Sequence, residues 1–493
     1  MVREARTRLE GTRASLRARP RWRWMALLVV ACGMMLSVVN VSIVNIALPD
    51  MAADLGVDVA FAGWVVSGFL VTQATMLPTA GRAGDLFGRR RVFVAGVLVV
   101  SAASVGCALS WDAHSLIAFR VLQGVGASAL APTAFAYATE LFAPEERAAA
   151  MGLLGGVLGL APVLSLNIAG VLVEAAGWRS VFWFSPVIGA ALLAGAALVL
   201  DERRAPGRHR SFDVPGAALA AVALVGVLLA LSRGGAWGWT AAPTLAAGLA
   251  GAVGALAFVV HERRAAEPMM DLALFRVRSL RTANLAGGLS AAALFGMLVM
   301  LPFFLTAAED LSPVGLGLAI SPVALCFVVA APLSGRLVAL GHVPSHVVAA
   351  SGLALGAAGT LWMAVVAQHQ SYALTLPGML ALGVGLAASS APITTTALSE
   401  VPPARLGVAA SLPNICRYTG AGVGVAALGA ALAASIPGDP ADAADAAVAG
   451  GFRAAALLGA GFLALAALTA ARMPRQPSRR AAGAVAAAGR PVP

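Results

Sequence analysis

Gly81-Arg82-Ala83-Gly84-Asp85-Leu86-Phe87-Gly88-Arg89-Arg90-Arg91 sets five charges in eleven residues between two long apolar runs. Glycines at 81, 84 and 88 allow the backbone to turn sharply and approach a neighbour closely. Arg82, Arg89, Arg90 and Arg91 cannot enter hydrocarbon cheaply. The stretch therefore predicts a short loop holding two membrane helices together, and the rest of the chain is read outward from it.

A hydrophobic content of 59%, a charged content of 12% and a mean hydropathy of +0.85 exclude a set of soluble domains in these 493 residues. The net charge of +11 would suggest nucleic acid in a soluble protein. Here all 34 basic residues are Arg, gathered between apolar runs, so they set membrane orientation instead. Cys32, Cys107, Cys326 and Cys416 stand singly in apolar segments, without metal-ligand or CxxC spacing, and read as packing residues.

Residues 1–24 form an Arg-rich tail (Arg3, Arg6, Arg8, Arg13, Arg17, Arg19, Arg21 and Arg23). The apolar run after it is too long for a signal-peptide core, which makes it a retained first span behind a cytoplasmic tail. Runs long enough for a bilayer of about 30 Å fall near 25–48, 61–79, 92–110, 114–138, 148–173 and 179–200. Two follow near 214–232 and 239–260, then six near 283–306, 313–340, 346–367, 372–397, 406–433 and 452–471. This predicts fourteen spans: an N-terminal bundle over 25–200, linkers with two inserted helices over 201–282, a C-terminal bundle over 283–471, and a cytoplasmic tail over 472–493. Loop charge agrees with the count. Only Arg179, Arg233 and Arg453 fall outside and Arg120 and Arg417 within spans, while Asp50, Asp54, Asp58, Glu309 and Asp310 fall outside, so both termini are expected in the cytoplasm.

Laying the first six spans over the last six reveals a repeat. Gly124-Val125-Gly126 before Ala131-Pro132 matches Gly383-Val384-Gly385 before Ala391-Pro392, and Pro144-x-x-Arg147 matches Pro402-x-x-Arg405. Gly335-Arg336 sits where Gly81-Arg82 sits, with Ala339 in the place of Asp85. Two six-span halves with an inserted pair form a parallel-repeat transporter plan.

The opening stretch, at Gly81, Asp85, Gly88, Arg89 and Arg90, resembles the loop between the second and third spans of the major facilitator superfamily. The fourteen spans narrow the resemblance to its drug:proton antiporter branch. Further motifs carry it. Asn40-Val41-Ser42-Ile43-Val44-Asn45-Ile46-Ala47-Leu48-Pro49 is similar to the branch's first-span signature, with Asn40 where the family has a carboxylate. Arg120-Val121-Leu122-Gln123-Gly124-Val125-Gly126 fits the fourth-span motif. Gly152, Gly155, Gly156, Gly159 and Pro162 fit the antiporter glycine-proline motif, with Ser165-Leu166 where Gly-Pro belongs. Gly177-Trp178-Arg179 leads into the sixth span.

The resemblance implies an all-α integral membrane protein of the major facilitator fold, two six-helix bundles plus two extra central helices, and an exporter of amphipathic drugs, antibiotics or secondary metabolites by rocker-switch alternating access. It implies multidrug or antibiotic resistance, a cell-membrane location, a proton gradient as energy source with no cofactor, and lipid as surroundings. No nucleic-acid partner is expected, and the oligomeric state is left open, a monomer being compatible with the plan. It assigns a conformational latch to Gly81, Asp85, Gly88, Arg89 and Arg90, with Asp85 facing the start of the thirteenth span near Arg405–Gly407; a solvated turn that only fixes topology is the competing role. It assigns the proton path or cavity to Asn40, Arg120 and Gln123, with snorkelling to the outer surface as the competing role of Arg120; Arg417, by its depth in the thirteenth span, reads as cavity lining or as a buried structural pair with a carbonyl or hydroxyl. Helix packing or gating falls to Gly124, Gly126, Gly152, Gly156, Gly159 and Pro162, which generic bundle packing would also explain.

Substrate hydrogen bonds could come from Asn45, Gln73, Thr72, Asn167, Asn284 and Asn414 beside Met297 and Met300, though each polar residue equally suits an interhelical bond. Coupling is the difficulty, since no acidic residue is predicted at mid-membrane and Asn40 cannot titrate. Asp50, Asp85, Glu140 and Glu174, near span ends, remain candidates. Asn40 therefore favours one alternative, a proton-independent facilitator or importer, and makes neutral or anionic substrates more plausible. An enzyme is excluded: His114, His209, His261, His342, His346 and His369 lie at loops or span ends, with no nucleophile–base pair or metal cluster.

Overall fold

The computed structural model describes residues 21–142, 144–202, 213–265, 272–309, 311–340, 343–401, 412–434 and 445–474. Among them no strand occurs, as expected where lipid supplies no partner for open backbone groups. The helices are α1 (Trp22–Leu55), α2 (Val59–Phe87), α3 (Arg89–Ala108), α4 (Ala113–Ala127), α5 (Leu130–Leu141), α6 (Pro144–Ala176) and α7 (Ser180–Val199). They continue as α8 (Val214–Trp237), α9 (Ala242–Arg264), α10 (Arg278–Glu309), α11 (Pro313–Ala339), α12 (Ser345–Val366), α13 (Tyr372–Leu398), α14 (Leu412–Ala433) and α15 (Asp445–Ala471). Thirteen helices among the described residues are long and apolar enough to cross a membrane, α4 and α5 counting as one. The remaining expected span, the fifth near 148–173, falls on α6, whose separate apolar stretch is Leu160–Ala176.

Polar residues punctuate this chain at helix starts. Asp58 accepts from Phe61 N at 2.6 Å to cap α2, and Asp213 accepts from Gly216 N at 2.9 Å to cap α8. Asp112 and Ser115 form a reciprocal capping box on α4, and the hydrogen bonds from the Ser115 backbone and hydroxyl hold the Asp112 carboxyl below the usual carboxylate range.

The expected loop at 81–91 is corrected to a single-residue turn. Helix α2 runs on through Phe87, because Gly81 and Gly84 are helical, and only Gly88 turns, at φ +102°. No side chain fits there: the conformation is left-handed, and a Cβ would overlap the Glu202 carboxylate. This turn marks one face of the bundle, the Gly88 face; Trp178, at the far end of α2 and α6, marks the other.

The repeat is realised in packing. A Cβ on Gly124 would sit 2.6 Å from Phe69 O of α2, and one on Gly383 would sit 2.8 Å from Val323 O of α11. Gly126 meets Gly96 O of α3, and Gly385 meets Gly352 O of α12. Small residues thus let backbones touch in equivalent pairs within each half.

The two largest seams between the halves are α6–α11 and α2–α14, with smaller contacts of α1 on α10 and α11. In α6–α11, Gly170 lies against Pro313 and Val314, Gly317 lies against Leu166 O, and Asn167 Nδ2 donates to Ser321 Oγ at 2.7 Å. Glu174 accepts from Val314 N at 3.2 Å. In α2–α14, Gly63 touches Val425 and Gly422 touches Val71. All of these contacts except the central Val71–Gly422 pair lie toward the Trp178 face.

The inserted helices α8 and α9 pack backbone to backbone through Gly226, Gly251 and Gly254. Leu228 of α8, fully buried, clusters with Val71 of α2 and Ala426 of α14, so α8 covers the α2–α14 seam. Trp64 Nε1 donates to Ser232 Oγ at 2.9 Å, and Arg233 pairs with Asp58 at 2.7 Å, both tying α8 to α2.

Candidate transport site

Deep in the N-terminal half, α1, α2, α3, α4 and α7 bring together a buried polar cluster. Arg120 of α4 has no exposed surface. Its Nε donates to Val65 O at 2.7 Å, its NH1 donates to Gln123 Oε1, and its guanidinium lies 4.5 Å from the centre of the Phe69 ring. Gln123 Nε2 donates to Asn40 Oδ1 at 2.7 Å and to Ser104 Oγ. Ser185 Oγ adds a second bond to Asn40 Oδ1 at 2.9 Å, and Asn40 Nδ2 donates to Leu36 O at 2.7 Å.

A buried charge costs several kcal/mol after relaxation. Hydrogen bonds to a charged group return about 1.5–3 kcal/mol each, and a desolvated ring about 2. The two bonds and the ring therefore offset much of the cost, while NH2 has no acceptor. Beside the cluster, Gln73 Nε2 donates to Ser37 Oγ at 2.7 Å, leaving Gln73 Oε1 unpaired.

Asn40, Arg120 and Gln123 thus meet, and Arg417 does not join them: it is exposed on α14, three residues beyond the half-buried Asn414. Asn45 and Asn284 are buried with both amide atoms unpaired, which leaves polar capacity in α1 and α10. Met297 is placed differently from a lining residue. It is fully buried, its Sδ 3.6 Å from the Cβ position of Gly459 in α15, so it packs inside the C-terminal half; Met300 is also fully buried. Thr72 turns its hydroxyl back to Gly68 O. Asn167 makes the interhelical bond already described.

On the Gly88 face, Arg89 is shared between Asp85 at 3.2 Å and Glu140 at 2.9 Å, joining α2, α3 and α5. Arg90 Nε donates to Ala196 O of α7 at 3.2 Å, and Arg91 pairs with Glu202 at 3.4 Å. Gly81 approaches Pro132 of α5 at ordinary contact distance. Arg405 and Gly407, the expected partners of Asp85, lie outside the described residues. Gly152, Gly155, Gly156 and Gly159 fall on α6 at positions whose packing is likewise outside them, and Pro162 is half-buried in the same helix.

Ser37, Ser104 and Ser185 are site residues the sequence did not single out, since a lone Ser in a span carries no spacing signal. The pair of His261 Nε2 and Asp213 Oδ1 at 2.6 Å, between the ends of α8 and α9, also escaped notice, its members being 48 residues apart.

A helical bundle of two repeated halves, sealed along two seams and holding a polar core, defines a membrane transporter rather than an enzyme. The chain belongs to the major facilitator superfamily, whose family model matches residues 30–221 and 214–425. It is 33% identical over 424 residues to the tetracenomycin C resistance and export protein of Streptomyces glaucescens, covering 86% of this chain and 78% of that protein. To the multidrug resistance protein Stp of Mycobacterium tuberculosis it is 34% identical over 412 residues, covering 83% and 76%. In fold it is similar to a bacterial homologue of the human lysosomal transporter Spinster in an inward-facing, occupied conformation. That TM-score is 0.69 at 16% identity, over 93% of this chain and all of the other.

Proposed function

We propose that this chain is a secondary-active exporter in the cell membrane that moves amphipathic small molecules, such as drugs, antibiotics or secondary metabolites, out of the cytoplasm. One six-helix half rocks against the other, with proton antiport as the driving reaction. The carrying observation is the pair of seams packed toward the Trp178 face, which suits a conformation entered from the Gly88 face. The Arg residues concentrated on the Gly88 face make it the cytoplasmic one, with both termini there. The export function named for one relative supports the direction, and the tetracenomycin and multidrug resistance named for the two support the substrate class. The Asp85–Arg89–Glu140 cluster serves as the half of the latch belonging to the N-terminal bundle, and the Arg120–Gln123–Asn40 chain lies along the coupling path.

Asn40 favours a second reading, a proton-independent facilitator, because the cluster around it holds no titratable carboxylate among the described residues. One experiment separates the two. The protein is reconstituted in liposomes under an imposed pH gradient, and uptake of amphiphiles is followed with and without an ionophore. Accumulation that collapses with the gradient is the result expected for antiport. Uptake that only equilibrates, indifferent to the ionophore, establishes the facilitator.

A further inference from the structure

We infer that the substrates of this transporter are amphipathic organic anions, whose charge the uncompensated guanidinium of Arg120 balances. The inference rests on the export reading above and adds the sign of the charge.

Arg120 is fully buried, no ion pair reaches it among the described residues, and its NH2 has no acceptor. The groups bonded to it or to its neighbours are neutral: Gln123, Asn40, Ser104, Ser185 and the Val65 carbonyl. Asn40 fixes this state. Its Oδ1 takes two donors while its Nδ2 donates to Leu36 O, a bond that a carboxylate oxygen could not make. The amide is therefore built into the network, and the cluster keeps a whole positive charge.

Unfilled donors lie on three helices of the same half. They are NH2 of Arg120 on α4, Nδ2 of Asn45 on α1, about a turn and a half beyond Asn40, and the hydroxyl of Ser67 on α2. Ser67 belongs to the stretch of α2, between Gly63 and Val71, that forms the seam with α14. A low-dielectric interior transmits the charge over several ångströms, so a substrate passing between the halves meets it without replacing any bond of the cluster. A carboxylate, sulfonate or phenolate is attracted there, and a cation is repelled. An inorganic anion offers the same chemistry, and the test separates the two sources.

The protein is reconstituted in liposomes with a pH gradient and given 1-anilinonaphthalene-8-sulfonate, its uncharged parent N-phenyl-1-naphthylamine, and ethidium, in chloride and in gluconate. The sulfonate is expected to move about tenfold faster than ethidium in either salt. Asn40→Asp, which adds the missing negative charge, is expected to erase or reverse that preference, and Arg120→Gln to erase it. Because Arg120→Gln can fail to fold, Asn40→Asp is the deciding variant; its fold is checked by thermal melting in detergent, and its preference is read as well from fluorescence binding of the sulfonate and of ethidium to the purified protein. Ethidium preferred by the wild type, or a sulfonate preference unchanged in folded Asn40→Asp, overturns the inference while leaving export intact. Ethidium transport that requires chloride assigns the counter-charge to the inorganic ion and also overturns it. If none of the three probes moves, the export reading fails and the inference with it.

Discussion

At the scale of single residues, two kinds of position behave differently. Asn40, Arg120 and Gln123 were legible because a charge or amide inside an apolar run is conspicuous and their motif spacing is tight. Ser104 and Ser185 were not, because only helix docking brings them to Gln123 and Asn40. The glycines divide in the same way. Gly124 and Gly385 face backbone atoms of a neighbouring helix, whereas Gly461 of α15 has nothing within 4 Å. Gly124→Ala and Gly385→Ala are each expected to destabilise by about 1–3 kcal/mol through overpacking, while Gly461→Ala stays neutral or gains up to about 1 kcal/mol in helix propensity. Thermal unfolding of the purified variants in one detergent checks this. Equal melting of all three would show that the close approaches carry no cost.

At the scale of the element, the repeat in the sequence is recovered as matched packing of α3 on α4 and of α12 on α13. The Gly-rich stretch that ends α2 differs from the expected loop for a physical reason. Gly81 and Gly84 suggest a turn by composition, but turning requires a φ that only Gly88 adopts, and helix continues wherever neighbours hold it. A related departure occurs in α6. The sequence has Ser165-Leu166 where Gly-Pro belongs, yet the helix still meets α11 there, the Leu166 carbonyl facing Gly317, and a second close approach follows one turn on, by Gly170 against Pro313 and Val314.

That seam gives a prediction at its own scale. A Cβ on Gly170 would lie 2.6 Å from Pro313 O, so Gly170→Val must wedge α6 away from α11. Spin labels at Ala176 and Leu311, in a background with the four native cysteines replaced, should report a longer and broader distance distribution in the variant. An unchanged distribution would mean that the seam tolerates the extra methyls and is not tightly closed.

At the scale of the whole molecule, the inserted pair α8–α9 has to be reconciled with rocking. Helix α8 lies over the seam between α2 and α14, so opening that seam obliges it to leave one of them. Among the described residues, its polar ties to the two halves run one way: Trp64 to Ser232 and Asp58 to Arg233 join it to α2, and its contact with Ala426 of α14 is apolar. Apolar contact in lipid is readily exchanged for other apolar contact, whereas an unpaired polar group there is costly. Helix α8 should therefore travel with the N-terminal half and slide over α14. Cysteine pairs in a cysteine-free background make this measurable. Cross-linking Trp64→Cys to Ser232→Cys should leave most of the liposome transport rate, and cross-linking Leu228→Cys to Ala426→Cys should abolish it, with reduction restoring activity. The opposite pattern would assign α8 to the C-terminal half, and block by both pairs would make the inserted helices a strap that must detach from each half in turn.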